Sequence, residues 1–308
     1  MSAAATSALR RATLVLLLSA LIWGAMVPVL STLAHHYDKW LLSCLRYLLG
    51  MPALWLAVLM TRQRPAVQPR PLRLGRLLQL GVAMSGFSVL YTFGVGHAHP
   101  ATAAIVLMCG PIVATVLARL MIGTRTPPGF LLTLVLVVVG GIVVMLGTPG
   151  RASAGFGFEG GELLLVIAQI FWSWYSIRAQ QWLADRGQIA LSALTATVAS
   201  VLLSLVCAVI WATGGIDWPS ETPSVADVGM LAWISVLGVA VAVVLWNTGV
   251  SMVGLPVASL FSNSAPVFAI GVAALMGIEP SWLQIVGGIV VMAGIAQLQL
   301  RQMRRARP

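Results

Sequence analysis

Charge is what this sequence has least of. Only 8% of its 308 residues are Asp, Glu, Lys or Arg, against about 25% in soluble domains. With 59% hydrophobic residues and a mean hydropathy of +0.96, a water-facing surface cannot be assembled from it, and a polytopic membrane protein is the class that fits. Acid is scarcest: there are eight carboxylates, and none falls near the middle of any span derived below. A buried carboxylate is the usual proton relay and the usual partner of a cationic drug. Its absence argues against a proton-coupled pump for cations, while coupling through the four histidines stays open. The three cysteines, Cys44, Cys109 and Cys207, lie in separate apolar stretches with no paired spacing. They read as small apolar fillers, not as a disulfide or metal set. There is no His-Glu-x-x-His, no Gly-x-Ser-x-Gly and no pair of mid-span aspartates, so neither an intramembrane enzyme nor a cofactor or metal is expected.

What is present is long uncharged runs. No Asp, Glu, Lys or Arg occurs from Leu77 to Ala118, or from Val228 to Ile278. A span needs about 20 residues, so each run holds two. The breaks inside them are His97-Ala98-His99-Pro100 and Gly254-Leu255-Pro256; proline opens a helix and disfavours helix in the residue before it, so both read as tight turns. The same reading along the chain predicts an all-α protein with ten spans, at 12–34, 38–60, 74–97, 99–122, 128–147, 160–184, 188–213, 226–252, 255–277 and 280–300. The connections at 61–76 and 148–161 are the longest.

The net charge of +10 invites a nucleic-acid reading, but 15 of the 18 Lys and Arg fall at one end of this topology. With the N-terminus inside, that end is cytoplasmic, as the positive-inside rule requires. Only Lys39, Arg46 and Arg151 fall towards the outside. The charge is a topology signal, nucleic acid is not an expected partner, and both termini are placed in the cytoplasm. Arg10-Arg11 ahead of Leu14–Leu30 has the order of a signal peptide, but the apolar run is long and has a counterpart later in the chain.

The hexapeptide GGIVVM occurs at 140–145 and again at 287–292, and residues 91–121 align without gaps on 246–276. Gly94-Val95 meets Gly249-Val250, Ala103 meets Ala258 and Pro111 meets Pro266. This predicts two repeats, 1–150 and 151–308. Five spans is an odd number, so the second repeat enters the membrane inverted, an architecture shared by many secondary transporters. The duplicated hexapeptide is expected to be a packing seam, since its glycines recur about two turns apart inside apolar spans.

The chain resembles the drug/metabolite transporter superfamily in its EamA-like branch. The likeness is carried by Ile22-Trp23-Gly24, Leu45-Arg46-Tyr47, the segment from Gly249 to Pro266 with Ala258-Ser259 inside it, and Gly277-Ile278-Glu279-Pro280 leading into Gly287-Gly288-Ile289. The first half lacks the glutamate expected before its last span. The resemblance implies export of small metabolites across a bacterial inner membrane, and the aromatic amino acid exporters are the suggested subgroup.

Candidate site residues follow from chemistry. Arg46 is the one cation well inside a span; its fork suits a substrate carboxylate, and the alternative is a local partner such as a carbonyl or Asp38. Trp23, Tyr91, Trp172, Tyr175 and Trp246 are inner aromatics able to stack on an apolar or aromatic cargo, or simply to pack between helices. Trp40, Trp55, Trp211, Trp218 and Trp233 lie nearer the surfaces and read as interfacial anchors. Asn247, Ser259 and Asn263 are neutral polar groups that need partners in lipid, either another helix or the cargo. His97 and His99 flank a turn, as a pH-sensitive or weak metal pair or as plain turn residues. Pro28, Pro111 and Pro266 permit bends within spans.

The expected function is alternating-access export of small neutral or zwitterionic metabolites, amino acids first and aromatic ones ahead of others. Another drug-like or phosphorylated cargo is the alternative, and a non-transporting scaffold is the second. Expected partners are a small-molecule substrate and the lipid bilayer; a monomer and a homodimer both fit.

Overall fold

The computed structural model describes residues 3–61, 71–98, 100–148, 157–216, 219, 222–275, 277 and 279–305. The basic connection at 62–70, the inter-half segment 149–156 with Arg151, and His99, Asp217, Trp218, Glu221 and Arg307 lie outside the described residues. Among those described, the chain is helical with no strand. The helices are α1 (Ala3–His36), α2 (Lys39–Thr61), α3 (Leu74–Gly96), α4 (Pro100–Met108), α5 (Gly110–Ile122), α6 (Phe130–Leu146), α7 (Gly161–Leu183), α8 (Gln188–Ala212), α9 (Val225–Trp233), α10 (Ala242–Val253), α11 (Leu255–Ser262), α12 (Ala265–Leu275) and α13 (Trp282–Arg305). A π-helical stretch, Ile234–Val241, joins α9 to α10 without a break.

The expected turns are present. Gly254, at φ 76°, closes α10 and opens α11, and Pro256 sits in the first turn after it. α3 stops at Gly96 and α4 starts on Pro100. Among the described residues, seven helices are long and apolar enough to cross a membrane, and the bent pair α4–α5 makes an eighth if it is one span. The sequence reading expected ten. The two outside this test have physical reasons: α6 is apolar but only 17 residues long, and α7 dilutes its 23 residues with Glu162, Gln169, Arg178, Gln180 and Gln181.

The sequence halves are not separate bodies. The most extensive packing, α6 on α13, α3 on α7 and α8, α2 on α8, and α1 on α10 and α12, always joins one half to the other. The GGIVVM copies explain the first of these. A Cβ added at Gly140 would lie 2.8 Å from the Gly287 carbonyl and 2.9 Å from Val291 N; one at Gly287 would lie 2.5 Å from the Gly140 carbonyl and 2.6 Å from Val144 N. Gly147 faces Leu283 and Gln284, while Gly294 faces Leu136 and Val137. Numbers on α13 fall as those on α6 rise, so the two helices are antiparallel, and each copy of the hexapeptide is the other's floor. Only glycine lets main chains approach this closely. Thr133 Oγ1 to the Gly294 carbonyl (3.2 Å) and Ser281 Oγ to the Gly147 carbonyl (2.8 Å) fasten the seam.

Two helices break at matched places. α4 and α5 part at Cys109 with a 40° bend, and α11 and α12 part at Asn263–Ser264. The alignment of 91–121 on 246–276 pairs Cys109 with Ser264, and the two breaks are followed by Pro111 and Pro266. Pro28, by contrast, lies inside α1 without interrupting it. Gly24, which precedes it by one turn, is the point where α1 rests on the Ala265 carbonyl of α12.

Candidate functional site

The inner aromatics gather at the crossing of α1, α3, α7 and α10. Trp172 is the hub: its ring centre lies 5.9 Å from Trp23, 5.9 Å from Trp246, 5.3 Å from Tyr175 and 4.9 Å from Phe87. Trp23 also meets Trp246 at 5.7 Å, and Phe87 meets Tyr91 at 5.6 Å. These separations and tilts are the range in which ring quadrupoles attract. All five aromatics singled out in the sequence are therefore in one connected set. Phe87 was missed, although it stands four residues before Tyr91 and so on the same helix face.

Hydrogen bonds hold the rings at set angles. Trp23 Nε1 donates to the Gly238 carbonyl in the π-helical stretch (3.2 Å), and Ser19 Oγ donates to the Ala242 carbonyl just beyond it (3.0 Å). Trp246 Nε1 donates to Ser176 Oγ at 3.1 Å. Trp246 and Tyr175 are 2% and 0% exposed, whereas Trp23, Trp172, Tyr91 and Phe87 are only half-buried.

Arg46 sits at the Tyr91 edge of the ring set, one turn from Trp23 and Phe87. Its terminal nitrogen approaches Met26 Sδ at 3.8 Å, and Tyr91 is within its electrostatic reach. Met26 and Tyr91 follow Trp23 and Phe87 by three and four residues on α1 and α3, so Arg46 is displaced about 5 Å along the bundle. Asp38 is not its partner: that carboxylate accepts the N–H groups of Trp40 and Leu41 at 2.8 and 3.3 Å. Arg46 Nε is buried without a hydrogen bond. Farther along the same helices, a cavity of about 350 Å³ is lined by Tyr37, Asp38, Lys39, Trp40, Phe93 and His97. Burial first, and the Asp227 carboxylate second, push the Tyr37 hydroxyl above its ordinary range. His97 Nδ1 lies 2.9 Å from the Phe93 carbonyl, which fixes the ring at the turn, and no metal-ligand cluster occurs among the described residues.

On the other side of the rings lies a polar network. Asn247 Nδ2 donates to Tyr175 Oη (3.1 Å) and Ser192 Oγ (2.9 Å), and Tyr175 Oη meets Thr195 Oγ1 at 3.1 Å. Thr195 donates its own hydrogen to the Leu191 carbonyl, so the tyrosine hydroxyl is the donor between them. Gln180 Nε2 donates to the Asn247 carbonyl and to Gln188 Oε1. Asn247 is 0% exposed, and its Oδ1 has no hydrogen-bond partner.

Ser259 and Asn263 do not join this set. Ser259 Oγ donates to the Pro256 carbonyl within its own helix (2.8 Å). Asn263 Nδ2 crosses to the Met108 carbonyl (2.7 Å), the residue it aligns with in the repeat, and Gln169 Nε2 takes the Val106 carbonyl (2.9 Å). The amides thus reach carbonyls at the α4–α5 break: Asn263 that of Met108, and Gln169 those of Leu107 (3.3 Å) and of Val106, which also accepts from Cys109 N–H.

The EamA-like transporter family profile matches residues 10–146 and 159–298. Among curated proteins, the uncharacterized transporter YyaM of Bacillus subtilis (strain 168) is 19% identical over 219 residues, covering 70% of this chain and 69% of that protein. The uncharacterized transporter YrdR of the same organism is 23% identical over 290 residues, covering 91% and 88%. A crystal structure 22% identical in sequence has the same fold, with a TM-score of 0.78 over 96% of this chain and 99% of that one.

Proposed function

The chain belongs to the EamA-like transporter family and is a multi-pass membrane transporter; we propose that it exports small zwitterionic metabolites, amino acids before others and aromatic ones first. The observation that carries this reading is the layering around Trp172. A lone guanidinium stands on one side of a cluster of six aromatic rings, and a buried amide oxygen without a partner stands on the other. Arg46 suits a carboxylate, for which its fork gives paired donors. The half-buried faces of Trp23, Trp172, Phe87 and Tyr91 suit a planar ring. Asn247 Oδ1 suits an N–H or O–H at the far end of that ring. Phosphorylated cargo finds less here, because Arg46 is the one cation by the cluster among the described residues.

The proposed architecture is ten spans in two inverted five-span repeats, 1–150 and 151–308. Its support is the antiparallel α6–α13 seam, the matched breaks at Cys109 and Ser264, and the family profile falling on two stretches. Alternating access then proceeds by exchange of the two repeats' conformations around the aromatic cluster, with Pro111 and Pro266 at the bends. The arginine-rich end is placed in the cytoplasm of a bacterial inner membrane.

The test is transport by the pure protein in proteoliposomes. A panel of amino acids is expected to move faster than through empty vesicles, tryptophan and tyrosine ahead of phenylalanine and leucine. If no amino acid in the panel moves faster than through protein-free vesicles, the cargo class is wrong.

A further inference from the structure

A second pocket, of about 280 Å³, lies at the opposite end of the bundle from the Asp38–His97 cavity. Its walls are the start of α3 and the end of α7, and Arg73, Arg76, Arg186, Trp182, Leu72 and Leu183 line it. No carboxylate is among the lining residues. Neither Arg73 nor Arg76 makes an ion pair with a described residue. Trp182 organises the charge: the guanidinium of Arg76 from α3 lies 5.4 Å from its ring centre, and that of Arg178 from α7 lies 5.5 Å away. Trp174 braces the indole edge-on at 5.6 Å. Two cations from different parts of the chain are thus drawn to one ring; Arg76 lines the pocket, while Arg178 donates to Gln181 Oε1 at 2.7 Å.

The backbone adds to the positive field. α3 opens on Arg73 with an extended residue, no side-chain cap and no acid in its first turn. Arg76 N–H donates to the Arg73 carbonyl (3.0 Å), which leaves the N–H groups of Leu74 and Gly75 without a partner among the described residues. Arg73, Gly75 and Arg76 are all exposed at this helix end. Asp185 is the one acid nearby in sequence, beside Arg186.

We propose that this pocket binds a phosphate-bearing anion. Guanidinium forks match phosphate oxygens two at a time, and an uncapped helix start favours the same charge. Basic pockets between membrane helices are where anionic head groups are held. The apolar wall of Leu72, Leu77 and Leu183 beside the arginines fits the glycerol and upper acyl carbons of an anionic phospholipid, and the same cationic set suits a soluble phosphate monoester. Because the pocket spans α3 and α7, an occupant ties together two helices that come from different halves of the chain.

The experiment is thermal unfolding of the full chain in detergent with added phosphatidylglycerol, phosphatidylcholine, or sn-glycerol 3-phosphate. Wild-type protein is expected to gain at least 3 °C with phosphatidylglycerol and less than 1 °C with phosphatidylcholine. Arg73→Gln/Arg76→Gln should lose at least half of that gain, while Arg10→Gln/Arg11→Gln, equal in charge but remote from the pocket, should keep it. Arg73→Gln alone, at an exposed position, provides the same comparison if the double variant does not fold. A matching gain with sn-glycerol 3-phosphate assigns the site to soluble phosphates, and a gain with the lipid alone assigns it to the bilayer. Equal losses in both double variants, or no gain in the wild type with either phosphate source, overturn the proposal.

Discussion

Replacing Gly287 with Ala tests the seam on which the two halves meet. The added methyl would lie 2.5 Å from the Gly140 carbonyl, 2.6 Å from Val144 N and 2.9 Å from Val144 Cγ2. Two of those three atoms are main chain, so no rotamer change relieves the contact. α6 must retreat by about 1 Å to restore ordinary van der Waals separation. That movement also stretches the Thr133–Gly294 and Ser281–Gly147 bonds, at 3.2 and 2.8 Å, on the same interface. Overpacking of this kind costs about 1–3 kcal/mol, and Ala returns up to ~1 kcal/mol of helix propensity. The net expectation is a loss of about 1–2 kcal/mol, or roughly 2–8 °C in Tm, read by thermal unfolding in detergent. Gly271→Ala is the control: a methyl there meets nothing within 4 Å, so only the propensity gain remains. Gly140→Ala should behave like Gly287→Ala, and the double variant should lose less than the sum, because one displacement relieves both clashes. Should Gly287→Ala match or exceed the wild-type Tm while Gly271→Ala rises as expected, the close approach of the two main chains is not what holds α6 to α13.

Other consequences concern the site. Trp172→Ala removes a ring in contact with four others and is expected to cut amino acid transport at least tenfold, with Trp172→Phe retaining most of it; undiminished transport by the Ala variant would remove the aromatic cluster from the pathway. Arg46→Met should weaken uptake of an amino acid by about 10–100-fold, the value of a charge-assisted bond of about 1.5–3 kcal/mol, yet leave the corresponding amino amide unchanged, so a competition assay between the two is the check. Asn263→Leu deprives the Met108 carbonyl of its donor and should lower stability by about 1–3 kcal/mol, measured by chemical or thermal unfolding. Asn247→Leu is expected to cost a similar amount through the loss of its bonds to Tyr175 and Ser192, and to narrow any preference for tyrosine over phenylalanine in transport.

The features legible in the sequence were those set by local chemistry. Membrane class, helical content and the turns at Gly254 and Pro100 follow from apolar runs and from proline and glycine geometry, which act over a few residues. The hexapeptide pairing was legible as a packing device, because closely spaced glycines in a lipid-facing helix have few other uses. For the site, Trp172 and Tyr175 were visible as neighbours on one helix face, since three residues is nearly one turn. Phe87 carried the same signal through its spacing from Tyr91. The fate of Asn263 had no such signal: its donor goes to Met108, 155 positions away in the chain, and no periodicity encodes that.

By itself, then, the sequence determined the solvent this protein lives in, because hydropathy is a property of residues in order; the direction its charge points and the kinship of its two halves are proposals that rest on arginine placement and self-similarity. Tertiary structure alone decided that the halves interleave, with α3 on α7 and α2 on α8; that GGIVVM packs against its own copy running the other way; and that Arg46, six aromatic side chains and the Asn247 amide come together from four helices and their neighbours. Those are relations between segments far apart in the chain, settled by which faces fit together once the backbone groups are satisfied and the helices compete for the same neighbours.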